Sequence, residues 1–135
     1  MVTQPSPALS DAPRLPVEGT LSHNGEFPLQ RWQIEQMVKN PLVASGAASR
    51  RGQALFGAFC APCHGTRGHG DGPVAKVFVQ PRNLAAPEIQ QHSDGWLYGA
   101  IRNGANIMPR HGPDLSQQQR WEIVQYLRTL TEPRQ

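Results

Sequence analysis

Apolar residues recur with helical spacing in two well-separated parts of the chain. Between Ser49 and Cys60, Gly52, Leu55, Phe56 and Phe59 share one helical face, which predicts an amphipathic helix running straight into Cys60. Ser49 stands as its candidate N-cap. Near the far end, Ser116 with Gln119 forms a capping-box signature. The face that follows, Trp121, Val124, Tyr126, Leu127 and Leu130, predicts a second core-facing helix. Between these two, Ser93 or Asp94 can cap a helix through Arg102, with Gly104 to end it. A short helical turn is expected around Val74–Phe78, and an irregular stretch between Pro81 and Pro87. No segment shows the alternation of a strand, and no internal repeat is visible. The pattern implies an all-α fold.

Residues 1–45 have a different texture. Pro5, Pro7, Pro13, Pro16, Pro28 and Pro41 interrupt them at intervals too short for most helices. The stretch from Leu29 to Lys39 can form a short helix before Asn40-Pro41 stops it. The chain is therefore divided into an extended Pro-rich arm, 1–45, and a compact domain, 46–135. Such an arm is disordered alone or ordered on a partner.

Hydrophobic residues make up 38% of the chain, enough for a modest core that a buried prosthetic group would enlarge. The net charge of +3 comes from eleven Arg and two Lys scattered along the sequence. That is too weak and dispersed for nucleic-acid binding. No run of about 18 apolar residues predicts a membrane span. The opening Met-Val-Thr-Gln-Pro lacks the charged and apolar regions of an export signal.

The only two cysteines sit together in Cys60-Ala61-Pro62-Cys63-His64. Two thioethers at this spacing hold a haem by its two vinyl positions, and the adjacent His is then placed at the iron. A thioredoxin-like pair would follow a strand, whereas a helix precedes this motif. A zinc site would need further ligands, and no second Cys pair exists. A disulfide across two residues would be labile. The motif therefore points to one covalent haem c, with Cys60 and Cys63 as attachment points and His64 as axial ligand. Because haem c is attached outside the cytoplasm, an export leader upstream is implied, and the protein is expected to be stable only with haem in place.

A sixth ligand should come from a loop well downstream. Met108 lies between two predicted helices, is followed by Pro109, and carries a thioether suited to haem iron. His111 is the nearest rival. His69 and His92 are weaker rivals, and His23 lies in the arm. The Gly-rich run 65–72 lacks the strand and Lys of a phosphate loop, and reads as a tight wrap beside the haem, with Asp71 as a turn residue.

From Ser49 to Leu130 the chain resembles class I c-type cytochromes. Gly52 and Phe56 precede the first Cys as in that family, and Ile123 and Tyr126 match the partner positions of the last helix. The resemblance implies that first and last helices cross at Gly52, around one haem c. It also implies that a Pro carbonyl accepts a hydrogen bond from the axial His. Pro81 in Pro-Arg-Asn-Leu at 81–84 is the candidate, with Leu84 packed on the haem face. Arg82 is a candidate partner of a haem propionate, and Trp96 could reach one through its indole N–H.

A narrower resemblance rests on Arg14-Leu15-Pro16-Val17-Glu18-Gly19-Thr20, Asn40-Pro41-Leu42, Gly-Asp-Gly-Pro-Val-Ala at 70–75 and Asn-Ile-Met-Pro at 106–109. These are similar to the monohaem cytochrome subunit of bacterial alternative complex III. The resemblance implies an electron-transfer subunit on the periplasmic side of the inner membrane, within a quinol-oxidising respiratory complex. Its partners would be other subunits and a terminal oxidase, and its precursor would be lipid-anchored. Two other readings are a soluble carrier serving an oxidase or periplasmic dehydrogenase, and an enzyme or gas sensor with an open sixth site.

Overall fold

The computed structural model describes residues 29–78 and 80–130. The Arg14–Thr20 motif and His23 lie outside the described residues. Among the described residues there are six α-helices: α1 Arg31–Met37, α2 Gly46–Phe59, α3 Ala61–His64, α4 Pro87–Gln90, α5 Asp94–Asn103 and α6 Gln117–Leu127. A 3₁₀ turn spans Pro73–Lys76. Among the described residues there is no strand, only one antiparallel bridge between Ala105 and Met108.

Local signals set most boundaries. Ser93 accepts from Trp96 N–H at the start of α5, and Gly104 (φ 75°) ends it. The capping box at Ser116 and Gln119 is complete. At α2 the cap is Ser45, which accepts from Ala48 N–H at 3.2 Å, and not Ser49. Ser49 N–H donates to the Ser45 carbonyl and so lies inside the helix. Gly46-Ala47-Ala48 extends the helix back by a turn, and Ala favours that extension. Pro87 sits at the first position of α4, a place where its missing N–H has no intrahelical partner to lose. The stretch after Pro81 is thus irregular only as far as Ala86.

The core forms where α2 crosses α6. A Cβ on Gly52 would run into the backbone carbonyl of Glu122, so the two helices touch through their main chains there. Phe56 packs on Tyr126 with ring centroids 5.2 Å apart, and Ile123 and Val124 are fully buried beside them. At the other end, Tyr98 of α5 stacks on Trp121 of α6 at 4.1 Å.

Helix α1 packs against α5. Gly95 and Gly99 leave a notch on α5 into which the α1 backbone fits, with Glu35 and Val38 carbonyls over Gly95. Ile34 is fully buried there. Asn40 donates to Asp94 at 3.1 Å and Asn103 to the Leu29 carbonyl at 2.8 Å. Residues 29–45 therefore lie on the helical body. Removing residues 1–42 would take Ile34 out of the core, so a truncation that spares the fold must stop before Leu29.

Candidate haem c site

Helix α2 ends at Cys60, and α3 carries Cys63 and His64 directly after it. The glycine-rich loop then wraps this turn. Gly70 N–H donates to the His64 carbonyl at 2.8 Å and Gly72 N–H to the Cys63 carbonyl at 3.1 Å. Gly70 adopts φ 79°, and a Cβ there would strike the Pro81 carbonyl. The run is a clamp on the Cys-His turn, and only glycine fits that close approach.

His64 is buried, 8% exposed. Its Nδ1 donates to the carbonyl of Arg82 at 3.2 Å. The acceptor is therefore the Arg82 carbonyl, not that of Pro81, because the Pro81 carbonyl is turned against Gly70. A carbonyl can only accept, so Nδ1 carries the proton and Nε2 keeps its lone pair. Burial, opposed by the Arg82 carbonyl and reinforced by His111, holds the imidazole below its usual 6.5 and keeps that lone pair available. Burial, with Cys63 alongside, pushes the Cys60 thiol up to about 12. A thiol so protonated is no thiolate nucleophile at neutral pH.

These side chains border a cavity of 440 Å³, the size of a cofactor pocket. Phe56, Leu97, Ile101, Ile123 and Leu127 supply apolar walls, and Leu84 closes one side. Cys60, Cys63, His64 and Met108 all line it. Met108 is presented by a tight turn: Met108 N–H donates to the Ala105 carbonyl at 2.8 Å, Ala105 N–H donates back at 3.2 Å, and Asn106 takes φ 51° at the tip. His111 also lines the cavity, with its ring edge-on to Phe59 at 6.1 Å. His92 instead stacks flat on Trp96 at 3.8 Å. Arg82 borders the cavity with its side chain exposed. The donor set, the apolar walls and the volume fit a haem attached at Cys60 and Cys63.

Three residues at or behind this cavity have roles that the sequence pattern does not reveal. Arg31 of α1 reaches its wall. Arg120, fully buried, donates to Tyr98 Oη at 3.1 Å and to the carbonyls of Gly112 at 2.8 Å and Leu115 at 2.9 Å. Burial lowers its guanidinium to about 10, which leaves it charged at neutral pH, and it pins the loop after His111. Asn106 shapes the Met108 turn. Arg31 acts across a long separation, and Arg120 joins Tyr98 to the loop before its own helix, neither of which periodicity encodes.

A helical shell around such a cavity, opening on Cys-x-x-Cys-His, defines a monohaem c-type cytochrome, an electron-transfer protein. The model of the family described as "Cytochrome C oxidase, cbb3-type, subunit III" matches residues 47–127, and the chain belongs to that cytochrome c family. Cytochrome c550 of Pseudomonas aeruginosa is 26% identical over 106 residues, covering 75% of this chain and 68% of the relative. A chain of the reducing HAO-like protein complex of Kuenenia stuttgartiensis superposes with TM-score 0.61 at 26% identity, covering 68% of this chain and 47% of that one. The match thus spans about half the length of the Kuenenia chain. Cytochrome cL from Hyphomicrobium denitrificans superposes with TM-score 0.54 at 22% identity over 87% of this chain and 68% of its own, which shows the shared fold. The cofactor is one haem c. Among the described residues no helix is long and apolar enough to cross a membrane.

Proposed function

We propose that the chain is a one-electron relay with His64 and Met108 as axial ligands, held on the periplasmic side of a quinol-oxidising respiratory complex like alternative complex III. The observation that supports the ligand set is that His64 and Met108 border one apolar cavity, each on a rigid turn. Haem c supplies a one-electron Fe(III)/Fe(II) couple. The chain's own residues do the rest. Arg82 fixes the His64 ring through its carbonyl, which strengthens Nε2 as a donor. The Ala105–Met108 turn holds the thioether in place. Leu84, Phe56 and Ile123 exclude water, so little reorganises when charge changes. Phe59, Val74, Phe78 and Ile107 leave an exposed apolar rim beside the cavity, a place for a redox partner to approach.

The assignment to a complex draws on the arm motifs, and residues 1–28 are the part proposed to bind neighbouring subunits. A deletion of residues 1–28 that keeps α1 tests it. The haem spectrum should be unchanged while co-purification with membrane subunits is lost. Retained co-purification would favour the second reading, a freely diffusing carrier for an oxidase or dehydrogenase. The likeness to cytochrome c550 supports that alternative.

A further inference from the structure

Arg31 stands in α1, outside the span that the family model matches, yet its side chain lines the haem cavity. Its Nε is buried and has no hydrogen-bond partner among the described residues. Buried donors are almost always satisfied, so an unpaired one in a side chain that lines a cavity points to a group that occupies the cavity. The guanidinium lies 4.3 Å over the Trp96 ring, a second lining residue. That stack fixes its plane and leaves its N–H edge for an acceptor. The α1 backbone is held close by Gly99, against which the Arg31 Cγ rests. No Asp or Glu lines the cavity among the described residues, so the chain itself supplies no counter-charge there. Haem brings its own: two propionate carboxylates, the natural partners of a guanidinium.

We propose that Arg31 binds a haem propionate, with Trp96 as the platform beneath it, so that α1 is part of the haem site and couples the arm to the reduction potential. The proposal rests on the haem site and not on the identity of any complex. A partner that draws α1 off α5 would remove a positive charge from the cofactor and stabilise the oxidised state.

The test uses the haem-loaded full chain with Arg31→Gln and Arg31→Lys, and Trp32→Ala on the exposed side of α1 as control. Midpoint potentials are measured by redox titration. Propionate bands are read by redox-difference infrared spectroscopy with isotope-labelled haem carboxyls. Loss of one nearby cation should lower the reduced-to-oxidised ratio at fixed poise about tenfold, equivalent to about 59 mV for one electron. Arg31→Gln should show that fall together with a shift of the labelled bands. Arg31→Lys should restore most of the potential but leave the labelled bands shifted, and Trp32→Ala should change neither. Unmoved labelled bands in Arg31→Gln overturn the proposal, whether or not the potential falls, since loosened packing alone could change the potential. If Arg31→Gln takes up no haem, Arg31→Lys decides: labelled bands identical to the parent's overturn the proposal, and shifted bands support it.

Discussion

Gly52 puts two opposing effects on one atom. In an exposed helix, Gly→Ala gains about 1 kcal/mol from reduced backbone entropy of the unfolded chain. At Gly52 the new methyl would occupy the place of the Glu122 carbonyl oxygen, with Tyr126 Cβ also at 3.0 Å. The obstruction is α6 backbone, which cannot rotate aside as a side chain can, so the helices must part. Separation would loosen Phe56 against Tyr126 and the fully buried Ile123. Overpacking of this kind costs about 1–3 kcal/mol, or more where backbone must move. Taking about 3 and subtracting the helix gain leaves a net loss of about 2 kcal/mol, a fall in Tm of roughly 8–16 °C for a domain this size. Gly57 lies on the same helix, and a Cβ there would meet nothing within 4 Å. Gly57→Ala should therefore stabilise by about 0.5–1 kcal/mol. Guanidinium unfolding of the two haem-loaded variants, followed by circular dichroism, compares them by midpoint at constant slope. Opposite signs are expected. If Gly52→Ala proves as stable as the parent, the backbone contact at the crossing is refuted.

Arg120→Met should lose about 3 kcal/mol, because the Gly112 and Leu115 carbonyls are left without a charged donor; an unchanged unfolding midpoint would contradict that role. Haem-free protein should unfold without a sharp cooperative transition, since the 440 Å³ cavity would be left in the core; calorimetry of the apoprotein checks this, and a sharp transition counts against it.

What the sequence revealed and what it hid follow from the range of each interaction. Ser93 and Ser116 satisfy N–H groups three residues away, so their helix starts can be read locally. Ser45 and Ser49 both satisfy the same local rule, and the choice between them depends on whether another turn gains packing upstream. The Cys-His turn was legible because its chemistry demands contiguous residues. The carbonyl that meets His64 was off by one residue, because that register depends on how Gly70 presses against Pro81. The placing of α1 on α5 and of Arg31 in the cavity wall depends on a notch made by two glycines, Gly95 and Gly99, far along the chain. Arg120 is a charged residue on a core-facing helix, against the hydrophobic pattern; only the convergence of Tyr98, Gly112 and Leu115 explains it.

The most direct test of the haem site is the sulfur-to-iron charge-transfer band at the red edge of the visible spectrum of the oxidised protein. The His64–Met108 assignment predicts the band in the parent, its loss in Met108→Ala, and its survival in His111→Ala. A band that persists in Met108→Ala, or a parent protein that never shows one, would contradict it.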